Sequence, residues 1–178
     1  MESSKEQSTG VEAALPPLTA HEERIYNSLA TKMQYFHTGL QAEYEECYEL
    51  ADGKFTKRGM SLSQYLGFVD QFRMHITMHH DIEEAHVFPT LAKRMPEFRP
   101  NERHKNSHKL IHDGLDKIEE AVKRFKEDNS SYNPVEMREA FDSFREPLYR
   151  HLAEEVQDLS AENMRKYWSV AEVRRLGF

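Results

Sequence analysis

Residues 79–89 read HHDIEEAHVFP and lie within a long run of helically spaced apolar residues. At ~100° per residue on a helix, Glu83 falls near the centre of the surrounding apolar stripe, whereas Glu84 falls about 100° away from it. His79 precedes Glu83 by four residues, so the two side chains share one face of the helix. The stretch therefore predicts a helix that carries a histidine and carboxylate pair on its buried side.

Apolar residues three or four positions apart extend through most of the chain, and the few glycines and prolines fall between these segments. The pattern predicts an all-α protein with four long helices and a shorter fifth one. They run from Thr19 to about Asp52, from Ser61 to Met95, from Asn101 to the KEDNSS segment at 126–131, from Asn133 to Leu159, and from Ser160 onward. Such helices pack most readily as an up-down-up-down four-helix bundle, with the short extra C-terminal helix covering one end.

Capping residues mark the N-terminal starts of two of these helices. Thr19 with Glu22, and Asn133 with Glu136, have the spacing of a capping box, which satisfies free backbone N–H groups at a helix start. Pro147 lies inside the fourth helix, where its ring removes a backbone donor, and it predicts a kink there.

The length of 178 residues favours one compact domain with short tails. Residues 1–18 are predicted to be a disordered tail, residues 19–159 the bundle, and residues 160–178 a helical segment packed on it. The chain has 24 Lys and Arg against 31 Asp and Glu, a net charge of −7, so it offers no general field for nucleic acid.

The sequence also argues against a membrane protein and against a secreted protein held together by disulfides. No segment approaches the ~20 apolar residues of a membrane span, so we expect no membrane insertion. The N-terminal residues contain no apolar signal core, and Cys47 is the single cysteine, which rules out an internal disulfide framework. We therefore expect a reduced, cytoplasmic protein.

Histidine is the unusual component of the sequence, with ten residues. His37 lies beside the apolar stripe of the first helix, and HLAEE at 151–155 repeats the four-residue spacing in His151 and Glu155. Glu155 falls close to the centre of its stripe, whereas Glu154 points outward. Buried imidazoles and carboxylates cost several kcal/mol without a partner, and a metal ion supplies the positive charge that two buried glutamates need.

The third helix contributes three histidines at successive four-residue steps, His104, His108 and His112. The projection onto the stripe favours His104 with His108. The antiparallel register with the second helix favours His108 with His112, because Glu83 lies well before the end of its own helix. We prefer His112 over His104. The second histidine and carboxylate pair of the opening stretch, His80 with Glu84, remains a further alternative.

The preferred ligands are five imidazoles and two carboxylates: His37, His79, Glu83, His108, His112, His151 and Glu155. This set is too large for one tetrahedral zinc ion and contains no thiolate, so it favours a non-haem di-iron centre or its manganese analogue. With both carboxylates bridging and an oxo or hydroxo bridge, about eleven of twelve octahedral positions are filled. One open position suits a small diatomic ligand such as oxygen or nitric oxide.

The opening stretch, continued as HHDIEEAHVFPTL, resembles the HHxxEExxxFPxL signature of the haemerythrin-like family, also called the HHE cation-binding domain. SHKLIHDGLDKIEE resembles the third-helix pattern of that family, HLAEE resembles the fourth, and His37 matches the lone histidine of the first helix. The resemblance extends from about His21 to Leu159. One departure is that His-x-x-x-Glu in the fourth helix replaces the His-x-x-x-x-Asp of the oxygen carriers.

The resemblance implies a four-helix bundle around a non-haem di-iron centre, in a family whose members bind oxygen reversibly, sense iron or oxygen, or process nitric oxide and peroxide. The leading hypothesis is therefore a di-iron protein that binds oxygen or senses or stores iron. The alternative is a di-iron oxidoreductase that acts on peroxide or nitric oxide, which needs a proton donor beside the open position.

Overall fold

The computed structural model describes residues 15–100 and 102–176, and within these ranges the chain is helical and contains no β-strand. The α-helices are α1 (Ala20–Tyr26), α2 (Ser28–Leu50), α3 (Leu62–Ile82), α4 (Phe88–Leu91), α5 (Arg103–Glu127), α6 (Pro134–Asp158), α7 (Ala161–Tyr167) and α8 (Val170–Val173). The all-α prediction is confirmed. Most of the predicted tail, residues 1–14, lies outside the described residues, as does Asn101, the predicted start of the third long helix.

The four long helices α2, α3, α5 and α6 form a closed ring of neighbours, because α2 and α5 each pack against both α3 and α6. Helices α5 and α6 approach each other closely at Gly114, where a Cβ atom would overlap the Phe144 side chain. Glycine at this position therefore lets the two backbones come together.

The helix starts follow the local signals in the sequence. The Thr19 hydroxyl accepts a hydrogen bond from the Glu22 N–H group, and the Glu22 carboxylate accepts one from the Thr19 N–H group, so this capping box is confirmed. The Asn133 side chain accepts from the N–H groups of residues 135 and 136, while the Glu136 carboxylate pairs with Arg124 of α5. Helix α6 continues through Pro147, and the kink predicted there stays a prediction.

Two predicted helices are interrupted. The first divides at Asn27, whose side-chain oxygen accepts a hydrogen bond of 2.7 Å from the Ala161 N–H group at the start of α7. The second changes at Glu83–Val87 into one turn of π-helix, in which the Phe88 N–H group donates to the Glu83 carbonyl five residues earlier. Pro89 follows immediately, and its ring cannot fit against the carbonyl four residues before it in a regular helix, so the wider turn accommodates it.

The predicted C-terminal helix is also two short helices, α7 and α8. Both belong to an apolar cluster with α1, the start of α2 and the segment after the π turn, and Trp168 is part of this cluster. A separate apolar cluster, centred on Tyr44, Phe72 and Phe144, fills the opposite end of the bundle. No helix in the described residues has the length and apolar character that crossing a membrane requires.

Candidate metal centre

Glu83 lies at the start of the π turn, is 1% exposed, and occupies the interior between the two apolar clusters. On the preceding helix, His79 lies ~40° to one side of the Glu83 direction and His80 ~60° to the other. The two adjacent histidines therefore reach the interior on opposite sides of one carboxylate.

A first ligand group consists of His37 on α2, His79 on α3, Glu83, and Glu155 on α6, whose ligand atoms all lie within 4.8 Å of one another. The Nε2 atom of His37 lies 3.2 Å from His79 Nε2 and 3.3 Å from Glu155 Oε2. His79 Nε2 in turn lies 3.0 Å from Glu83 Oε1. Two imidazoles and two carboxylates from three helices thus point at one location.

A second ligand group consists of His80 on α3, Glu83, His108 on α5, and His151 on α6, within the same distance limit. His108 Nε2 lies 3.1 Å from His151 Nε2 and 3.3 Å from Glu83 Oε2. The rings of His80 and His108 are stacked with their centroids 3.8 Å apart. All four members are buried, and together the two groups use all four long helices.

Both carboxylates lie between the groups. Glu83 belongs to each of them, with one oxygen facing His79 and the other facing His108. Glu155 Oε2 lies 3.3 Å from His37 in the first group and 3.8 Å from His151 in the second. Glu83 thus presents a separate oxygen to each group, as a carboxylate shared by two neighbouring cations would, whereas Glu155 presents the same oxygen to both sides.

Outer hydrogen bonds orient the imidazoles. His37 Nδ1 donates to the Leu152 carbonyl at 3.0 Å, which leaves the Nε2 lone pair facing the centre. His108 Nδ1 lies 3.0 Å from a Glu84 oxygen, so Glu84 supports a ligand from outside the ring of ligand atoms. Such carboxylate and carbonyl partners fix the tautomer and direction of histidines that bind metals.

The buried histidines of the cluster are in the neutral form that binds cations, whereas the two carboxyl groups differ. Burial lowers the pKa of His79 to about 4 and that of His80 and His151 well below the ordinary range, so their imidazoles stay neutral at pH 7. Burial, together with the neighbouring Glu155 carboxylate, raises the pKa of Glu83 well above its usual value. Burial also opposes ionisation of Glu155, but His37, whose Nε2 atom lies 3.3 Å from Oε2, and the nearby His151 outweigh that effect and lower the pKa of Glu155. Neutral imidazoles are the form that binds metals.

Several buried polar atoms at the centre have no hydrogen-bond partner. They are both carboxylate oxygens of Glu83, both of Glu155, and Nε2 of His80. Unpaired buried oxygens of this kind are costly, and native proteins satisfy them. A pair of cations inside the cluster would satisfy all of these atoms at once, so the residues present fit such a group.

Six of the seven predicted ligands lie in the two groups, and His112 does not. Its Nε2 atom lies 3.3 Å from His80 Nδ1, so it contacts a group member from outside. The alternative residue His104 is fully buried and lies outside both groups, with its Nε2 atom 2.9 Å from Asp158. The third helix therefore supplies one residue, His108, to the groups, and the assignment of ligands stays a prediction.

His80 takes the fifth histidine position in the groups, which the preferred set assigned to His112. The sequence did point to His80 as a candidate, because His80 stands directly beside His79. The helical projection selected His79 because it assumed that only a narrow stripe of the second helix faces the interior. The observed cluster is wide enough to include both His79 and His80.

The fold and the site together define a class: an all-helical protein with a buried histidine and carboxylate cluster suited to metal cations. The family model of the hemerythrin HHE cation binding domain matches residues 28–161. The chain belongs to this family, as its resemblance to the family signature indicated. The matched segment contains every member of both ligand groups.

A curated relative is the "Dimeric xanthone biosynthesis cluster protein R11" of Cryptosporiopsis sp. (strain 8999), which is 25% identical over 154 residues. The match covers 81% of this chain and 56% of the relative, so the chain spans little more than half the length of that protein. No solved structure matches the chain.

Proposed function

We propose that the chain is a non-haem di-iron protein that binds oxygen or another small diatomic ligand such as nitric oxide, or senses or stores iron. One observation carries the proposal: the Glu83 carboxylate is shared by two ligand groups, with its oxygens 3.0 and 3.3 Å from histidines on opposite sides. A single shared carboxylate is what a pair of cations, rather than one, requires. We further propose that the four long helices are connected up-down-up-down around this pair.

The donor set supports iron over zinc and copper. The two groups together offer five imidazoles and two carboxylates without a thiolate, a mixture that suits iron or manganese in roughly octahedral coordination. Iron would supply a redox-active Lewis acid at this location, and we propose that an oxo or hydroxo bridge completes its coordination. The chain's own contribution is to orient the imidazoles through Leu152 and Glu84, and to exclude water with the apolar clusters on both sides.

The second candidate is an oxidoreductase that acts on peroxide or nitric oxide at the same centre. The observation in its favour is that His79 and Glu83 line a cleft, which brings a reactant to the edge of the first ligand group. The curated relative's name refers to a biosynthesis cluster, which also suits an enzyme. We place either protein in the reducing cytoplasm, in keeping with the free, buried thiol of Cys47.

The test is anaerobic loading with ferrous iron, elemental analysis, and then exposure to air. We expect about two iron atoms per chain, one for each ligand group, and an absorption band that forms in air and reverses on deoxygenation. Stoichiometric zinc without iron would contradict the di-iron proposal. Irreversible bleaching with turnover of peroxide would contradict the binding protein and support the enzyme.

A matched pair of variants on α6 controls this experiment. Glu155→Ala removes a group member with no exposed surface, and we expect it to abolish loading. Glu154→Ala removes a half-buried neighbour whose carboxylate faces Arg103 at 3.6 Å, and we expect normal loading. Equal behaviour of the two variants would reject the assignment of Glu155 to the site.

A further inference from the structure

An apolar cleft of about 300 Å³ opens beside the first ligand group, between α2 and the end of α3. Its apolar walls are Leu29, Met33, Phe36, Ile82, Val87 and Leu159. Its polar lining residues are His79 and Glu83, which belong to the first ligand group, and the exposed Lys32. The cleft therefore runs from solvent to His79 and Glu83 at the edge of the first ligand group.

Burial gives the cleft a floor and a rim. Glu83, Val87 and Leu159 are at most 7% exposed and lie at the floor, whereas Phe36 is 58% exposed and Ile82 is 49% exposed. Two large apolar side chains are thus half exposed beside a cavity whose inner walls are also apolar. An apolar molecule in the cleft would cover both of them and gain the free energy of burying that surface.

The size of the cleft exceeds what a diatomic ligand needs. At ~30 Å³ for each water-sized group, 300 Å³ holds about ten such groups, whereas a diatomic molecule has two atoms. The volume lies at the lower end of the range for cavities that bind organic ligands and are lined mainly by apolar side chains. The six apolar walls also make a charge placed among them costly, because the charged group would lose its hydration there.

We propose that this cleft binds a small, uncharged aromatic molecule of about ten heavy atoms, a two-ring phenol for example, with one end against His79 and Glu83. The rings of Phe36 and His79, with centroids 6.3 Å apart and planes tilted by 40°, offer faces and edges for an aromatic ligand. The inference rests on the proposed function, since the floor of the cleft is the metal centre. It adds an organic ligand class to a site for diatomic molecules.

The depth of the cleft favours a small molecule over a protein partner. Exposure falls from 58% and 49% at Phe36 and Ile82 to 7% at Val87, so the cleft narrows inward, and the broad surface of another helix or a second copy of this chain would rest on the rim. A protein partner would contact only the rim and leave the floor uncovered.

The test is equilibrium dialysis of 1-naphthol against the full chain, with the iron content measured in the same samples. We expect one naphthol to bind per chain. Val87→Phe fills the floor and Ile82→Glu places a charge at the rim, and each should weaken binding at least about tenfold. The matched control Met74→Glu places the same charge on an exposed residue of α3 outside the cleft, and it should bind as the wild type does.

Each contrary outcome overturns the cleft proposal. Absence of binding at about 1 mM naphthol, or equal binding by all four proteins, would show that the cleft is not the site. If the chain sediments as a dimer and Ile82→Glu makes it a monomer, the rim is an interface between copies instead.

Iron content separates this proposal from the function proposed for the centre. A chain that loads iron and does not bind naphthol refutes the cleft ligand alone. A chain that binds naphthol and never loads iron refutes the di-iron function and leaves the cleft ligand supported.

Discussion

Glu83→Gln should have opposite effects on the iron-free and the iron-loaded chain. Glu83 is the one residue that belongs to both ligand groups, so its replacement by a neutral amide should remove binding at both. The same replacement removes a buried carboxyl group whose pKa is raised by burial and by the Glu155 carboxylate. The iron-free variant should therefore be more stable than the iron-free wild type.

Proton linkage gives the sign of the stability change in the iron-free variant. A carboxyl group with a raised folded-state pKa favours the folded chain fully below its unfolded pKa, and that contribution is lost as the pH rises through the folded pKa. The wild type therefore gives up part of its stability by pH 7, because Glu83 is buried beside the Glu155 carboxylate, whereas glutamine does not titrate. Excess ferrous iron at ~100 times its dissociation constant should stabilise the wild type by about 3 kcal/mol for each of the two iron atoms and the variant by nothing.

Urea unfolding followed by circular dichroism, with and without ferrous iron under anaerobic conditions, measures both effects. Asp81→Asn is the matched control, because it changes an exposed carboxylate on α3 to an amide and should follow the wild type in both conditions. A Glu83→Gln chain that is less stable without iron, or that still gains stability from iron, would refute this account of the site.

The remaining predictions concern the histidines. His80→Ala should reduce the iron content from two atoms to one, because it removes a member of the second group. His112→Ala should keep two iron atoms but weaken the affinity for iron about 10–100-fold, because it removes the contact with His80. Elemental analysis after dialysis separates these outcomes, and loss of iron in His112→Ala but not in His80→Ala would reverse the assignment. In an iron-free Glu83→Gln background, which removes the opposing carboxyl titration, stability should fall between pH 6.5 and about 4, because the unfolded chain takes up protons there while the pKa of His79 is lowered to about 4. Between pH 7 and pH 5, His79 alone corresponds to a loss of about 2 kcal/mol, measurable by urea unfolding at the two pH values, and a flat profile would contradict it.

Much of the fold was predictable because its signals are local. Thr19 and Asn133 cap helices by bonds to backbone groups two or three residues away, and sequence order alone brings these atoms together. The apolar stripes also place His37, Glu83 and Glu155 inside, because a helix turns by a constant angle for each residue.

The sequence predicted the interruptions of the helices less well. Asn27 ends α1 where its side chain reaches the start of α7, a contact between residues 134 positions apart. The π turn at Glu83 was hidden for a different reason: Pro89 predicts a disturbance, but the sequence alone does not decide between a break, a kink and a wider turn.

By itself, the sequence determined that an imidazole would be buried on every long helix and a carboxylate on two of them, because helical periodicity assigns each side chain to a face. Only the tertiary structure decided which of them meet, and it placed His80 rather than His112 in the second group. The physical reason is that helix rotation, axial shift and the width of the interior depend on how all four helices pack. His108 stacks on His80 at 3.8 Å, and this leaves His112 beside the group rather than in it.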